Sequence, residues 1–155
     1  MLIKFKQIEE FSENIFDKVK GYREHLHKNP ELSYKEFNTS KFVSEKLTEI
    51  GIDNSFIGGT GVQALICGSN HDKNDSCIAL RADLDALPIQ EENDVSYKSQ
   101  KDGIMHACGH DVHTSILLGV AEVLYHFRNQ LPAPVKLIFQ PGEEQNPGGA
   151  TYIIK

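Results

Sequence analysis

No block of lysines and arginines interrupts this sequence, and its 16 Lys and Arg against 22 Asp and Glu leave a formal charge of −6. Nucleic acids and anionic membranes demand a concentrated positive face, so neither is expected as a partner; a small soluble substrate is. Long hydrophobic runs are missing too, since nothing approaches the roughly 18 apolar residues of a membrane span. Residues 1–10 carry neither an uninterrupted apolar stretch nor a small-residue cleavage site after it. Cys67, Cys77 and Cys108 are an odd number, which argues against a disulfide framework and for the cytoplasm. Gly58-Gly59-Thr60-Gly61 lacks the Gly-Lys-Ser/Thr of a phosphate loop and reads as a turn. The 155 residues suffice for one domain burying on the order of 68–70% of its unfolded surface.

Apolar residues at Phe11, Ile15, Phe16, Val19, Tyr22 and Leu26 predict a helix that Asn29-Pro30 stops. Ser33-Tyr34-Lys35-Glu36 has the S-x-x-E form of a capping box, opening a second helix that carries Phe37, Phe42, Val43, Leu47 and Ile50 and ends at Gly51. Beyond Ile52 come β-type runs at 62–67, 77–82 and 135–139, the first two joined by a hairpin or short connection over 68–76. Cys67 and Cys77 read as small core residues in those strands. A helix is predicted from Val112 to about Asn129. Strand, helix, strand implies an α/β sheet covered by helices, with ligands gathering beyond the carboxyl ends of its strands.

The chemistry concentrates there. Met105-His106-Ala107-Cys108-Gly109-His110-Asp111-Val112-His113 packs a thiol, three imidazoles and a carboxylate into nine residues. Burying them together without a shared ion would leave several donors and acceptors to satisfy one by one, so the run points to metal. Gly109 allows a backbone turn that aims Cys108 and His110 at one point. His106 and His113 share a face with His110 only in an unbroken helix, so they read as supporting or substrate-contacting groups, the alternative being simple caps or solvent-exposed side chains. Asp111 sits where a carboxylate complements a helix dipole. Asp83 and Asp85, two apart at a strand end, read as supports orienting a ligating histidine, the alternative being a solvated turn paired with Arg81. Glu143 and Glu144 diverge from a turn-rich segment, so that one can bind a metal while the other reaches a water. His25, His27, His71 and His126 read as surface residues.

Four ordered motifs now resemble a known family: 23–27 with 29–33, Arg81 to Pro88, Met105 to His113, and Phe139 to Glu144. The family is the co-catalytic metallopeptidase and aminoacylase superfamily, in its amidohydrolase branch of hippurate hydrolases, N-acetyldiaminopimelate deacetylases, and N-acyl-amino-acid and indoleacetyl-amino-acid hydrolases. The resemblance implies a three-layer αβα, zinc-peptidase-like catalytic domain, a mixed sheet with helices on both faces. It implies Cys108, His110 and Glu144 as metal ligands and Glu143 as general base, beside which Asp83, Asp85, His106, Asp111 and His113 keep the supporting roles read above.

Two divalent ions (Zn, Mn, Co or Ni) per complete site are implied, acting on the amide bond of an N-acyl amino acid or short peptide, in a homodimer or homotetramer. Members take further histidine ligands from later in the chain, and this sequence has none after His126. The expectation is therefore that residues 1–155 are the N-terminal part of the metal-dependent catalytic domain, without the smaller dimerisation or lid domain and the C-terminal catalytic half. The alternatives are a catalytically incomplete remnant with at most a partial metal site, and a Cys108 nucleophile activated by His110 or His113.

Overall fold

The computed structural model describes residues 4–72 and 76–154. Helix α1 (Phe5–Lys28) begins six residues before the predicted stripe, because Ile8 extends the apolar face and the Gln7 side chain accepts the Lys4 N–H. It ends where Pro30 forbids continuation. Helix α2 (Phe37–Ile50) closes at Gly51, whose φ of 96° is the left-handed cap that glycine adopts at no steric cost. Its start differs from expectation. The helix opens after Glu36 with no side-chain cap, so Ser33 and Glu36 form no capping box.

Strands β1 (Asn54–Ile57), β2 (Gly61–Ile66), β3 (Ile78–Asp83) and β4 (Val135–Gln140) form one mixed sheet in the order β1-β2-β4-β3. The predicted strands are all present. β1 is added, too short and polar at Asn54-Ser55 to register as a strand; it pairs with β2 across the Gly58–Thr60 turn. The hairpin between β2 and β3 does not exist, because β4 lies between them, antiparallel to β2 and parallel to β3. Residues 73–75 of that connection lie outside the described ones. Cys67 is half-buried beyond the end of β2, and Cys77 is exposed ahead of β3, so neither is a core strand residue; all three cysteines are free.

Helix α3 (His110–His126) carries the crossover from β3 to β4 and packs on the sheet beside α2, with α1 lying along it. Val62, Ala64, Ile66, Ala82, Val135, Leu137 and Phe139 meet Val43, Leu47, Leu117, Leu118 and Ala121 in one core. Each fully buried Leu or Phe in it contributes roughly 1.5–3 kcal/mol. On the other face, Gln63, Leu65, Lys136 and Ile138 are half-buried and Arg81 is exposed. No described helix is long and apolar enough to cross a membrane. Because β3 and β4 run parallel, the segments leaving both strands emerge at the same edge, with Asp83 paired to Gln140.

Candidate metal centre

Three donors from two segments meet at that edge. The ligand atoms of Cys108, His110 and Glu144 all lie within 4.8 Å of one another. Gly109 has φ 88° and open space around it, so it is the backbone angle, not crowding, that calls for glycine between the thiol and the imidazole. His110 is the first residue of α3, its side chain 12% exposed. Its Nδ1 sits 2.9 Å from the Asp85 carbonyl oxygen; donation there leaves Nε2 as the nitrogen facing the cluster, able to bind a cation once the cation displaces its proton. A thiol, an imidazole and a carboxylate with converging atoms fit a borderline divalent cation.

Asp85 is the hub behind these donors. It is fully buried, and its Oδ2 accepts both the Ser33 hydroxyl at 2.6 Å and the Glu144 N–H at 2.9 Å. Burial opposes its ionisation, but hydrogen bonds from His110, Ser33 and the Glu144 and Glu143 backbone prevail and hold its pKa down at about 2. For His110, burial likewise disfavours the charge, but the Asp85 carboxylate and the Cys108 sulfur push its pKa up to about 11. The Cys108 thiol points at the Asp85 carbonyl, 3.6 Å away. Asp85 thus sits where a support for a ligating histidine was expected, and it is no solvated turn.

Glu143 stands at the rim, its side chain 40% exposed and Oε2 3.9 Å from His110 Nε2. The loop holding both glutamates is tied at its base, where the Gly149 N–H reaches the Gly142 carbonyl at 3.0 Å. A Cβ on Gly149 would fall 1.7 Å from the Pro141 carbonyl oxygen.

The remaining predicted groups separate. Asp83 turns from the cluster to Arg81, 2.8 Å from Nε, and to His113, whose Nδ1 is 3.3 Å from its Oδ2. His113 is 47% exposed. His106 is neither cap nor surface group: it is buried with no protein partner for either ring nitrogen, and burial lowers its pKa to about 4 against the opposing pull of the Asp111 carboxylate. Asp111 is buried as well, its carboxylate turned to α1, where Arg23 Nε lies at 2.9 Å and His27 Nδ1 at 2.7 Å. His27 is thus no surface residue. Its Nε2 lies 3.1 Å from Glu91, a buried carboxylate that also accepts the Ser99 N–H. His71 is half-buried and reaches the Leu131 carbonyl, whereas His25 and His126 are exposed as expected, stacked on Phe42 and Phe11. The i, i+4 spacing of Arg23 and His27 beside Leu26 was the available signal for the α1 network. Nothing local marked Glu91, and the local pattern marked Glu36 only as part of a helix cap.

Residues 79–155 match the family described as Peptidase family M20/M25/M40. The chain is 44% identical over 143 residues to thermostable carboxypeptidase 2 of Saccharolobus solfataricus, covering 91% of this chain and 36% of that protein. It is 39% identical over 151 residues to the N-acyl-L-amino acid amidohydrolase of Geobacillus stearothermophilus, covering 97% and 40%. Its fold superposes with a TM-score of 0.83 on the Bacillus subtilis YXEP protein, described as a dinuclear metal binding peptidase, at 39% identity over 94% of this chain and 39% of that one. The chain thus spans well under half the length of each.

Proposed function

This chain belongs to peptidase family M20/M25/M40, and from that premise we propose that it serves metal-dependent hydrolysis of the amide bond of an N-acyl amino acid or short peptide. The observation that carries the reading is the convergence of Cys108, His110 and Glu144 beside Glu143. Residues 1–155 are read as the N-terminal part of the catalytic domain, in the cytoplasm, with a second ion and the smaller domain drawing on residues outside this stretch.

Cys108, His110 and Glu144 would hold a divalent cation, which supplies Lewis acidity, lowering the pKa of water to about 7 and polarising a carbonyl. Glu143, exposed at the rim, accepts a proton from the attacking water as its oxygen bonds to the acyl carbon. The carbon–nitrogen bond then breaks, and protonated Glu143 returns the proton to the departing amine. A carboxylic acid and an amino acid result. Asp85 keeps the His110 ring in register throughout.

A Glu143→Gln variant tests this, since Gln keeps the shape and loses the base. Expected are loss of N-acetyl-amino-acid hydrolysis and metal content equal to the parent's by elemental analysis. Retained turnover would overturn the role of Glu143. A second reading, a remnant holding a single ion, is favoured by the three-donor cluster, enough for one ion with water in the fourth position. Stoichiometric metal in the parent chain with no hydrolysis would select it.

A further inference from the structure

Resting on the metal reading above, we infer that Ser33, Tyr34 and Glu36 are positioning residues that clamp the Glu143-Glu144 loop from behind. Three side chains from four consecutive residues reach that loop or its hub, and none serves the helix that follows them. Ser33 donates to Asp85 Oδ2, the same oxygen that takes the Glu144 N–H. Glu36 is fully buried, and its carboxylate is divided: Oε2 accepts the Thr60 hydroxyl, and Oε1 accepts the Gly142 N–H at 2.8 Å. Tyr34 lies between them at φ 61°, a left-handed conformation that non-glycine residues rarely adopt. That turn lays its ring on Gly142, where a Cβ would come within 2.4 Å of Cε1, and sends its hydroxyl to the Gln145 carbonyl at 3.3 Å.

The placement has a chemical purpose. A ligand and a base on one surface loop must be held to a fraction of an ångström, and a loop offers few contacts of its own. Gly142 and Glu144 bracket Glu143, and the amides of both are held by buried carboxylates, Glu36 and Asp85. α2 gives up its side-chain cap in the arrangement. The backbone strain at Tyr34 belongs to the same trade, because local strain persists where surrounding contacts over-determine it.

The test is a cobalt(II) titration of the 155-residue chain, read by the thiolate-to-cobalt charge-transfer band that Cys108 ligation produces, for the parent, Glu36→Ala and Glu36→Gln. The parent is expected to bind with the band. Glu36→Ala should bind roughly 10-fold to 100-fold more weakly, the range for removing a group that orients a ligand, and with an altered band. Glu36→Gln should stay within about threefold of the parent, because its Oε1 can still accept the Gly142 N–H while its amide donates to Thr60. A merely structural Glu36 would lower the melting midpoint and leave affinity and band unchanged; that result overturns the inference. Should Glu36→Ala not fold, Ser33→Ala carries the test through Asp85, and parental affinity and band in that variant overturn it equally. Absence of the band in the parent would instead overturn the metal reading, and the inference with it.

Discussion

Replacing His106 with Leu should make the protein's stability fall about 2 kcal/mol less than the parent's between pH 8 and pH 5. The imidazole is 4% exposed and neither nitrogen has a protein partner, so burial drives its pKa from 6.5 to about 4. The folded value lies below the unfolded one, so the stability tied to this group is intact above pH 6.5. It is lost as the pH falls, because the unfolded chain takes up a proton that the folded chain refuses. Each unit of depression is worth about 1.4 kcal/mol, so at pH 5 the folded state has lost about 2 kcal/mol relative to pH 8, rising to about 3 kcal/mol below pH 4. Leu has no proton to accept. Urea unfolding of the chelator-treated proteins at pH 8, 6.5 and 5 measures the difference directly. The parent's free energy should fall about 2 kcal/mol further than the variant's over this range. Parallel declines in the two proteins would refute the argument, for they would mean that the folded state admits the proton.

Asp85→Asn should weaken zinc binding roughly 10-fold to 100-fold in a competition titration, since the amide cannot both hold His110 and accept from Ser33 and Glu144. The same carboxylate makes a second pH window. Its folded pKa of about 2 lies below the ordinary 3.8, so its contribution is present above pH 3.8 and vanishes as the pH drops to about 2. That amounts to about 2 kcal/mol, absent from the Asn variant in acid titrations followed by circular dichroism. Gly149→Ala should destabilise the protein by about 1–3 kcal/mol in thermal melts and also weaken metal binding. Its Cβ would meet the Pro141 carbonyl oxygen at 1.7 Å, and only the glutamate loop itself can move aside.

The helices and three of the four strands were legible because each buries a periodic apolar face. The Gly51 cap and the αL turn at Gly109 were legible because only glycine suits those angles. Cys108, His110 and Glu144 converge as their motif spacing suggested, though Glu144 depended on resemblance to distinguish it from Glu143. What escaped was everything decided by long-range partners. Ser33-x-x-Glu36 has a helix-capping pattern, and a local pattern cannot reveal that better acceptors and donors wait at Asp85 and Gly142, more than 50 and 100 positions away. His27 reads as a surface residue from sequence for the same reason, its carboxylate partners lying at Glu91 and Asp111. Sheet order was hidden too, because neighbouring runs in sequence suggest a hairpin and nothing in either run shows that a later strand will separate them.

That separation sets a timetable. β4 follows both β2 and β3 in the chain yet lies between them, so those two strands cannot be joined into one sheet until residue 140 has been made. Asp85, Cys108 and His110 are all synthesised before β4, while the Glu144 amide that steadies Asp85 follows it. The three donors come together only when β4 enters between β2 and β3 and brings the Glu144 segment to the edge. Chemistry at this edge waits for β4, and a nascent chain that has not reached residue 144 presents neither the base nor all three donors.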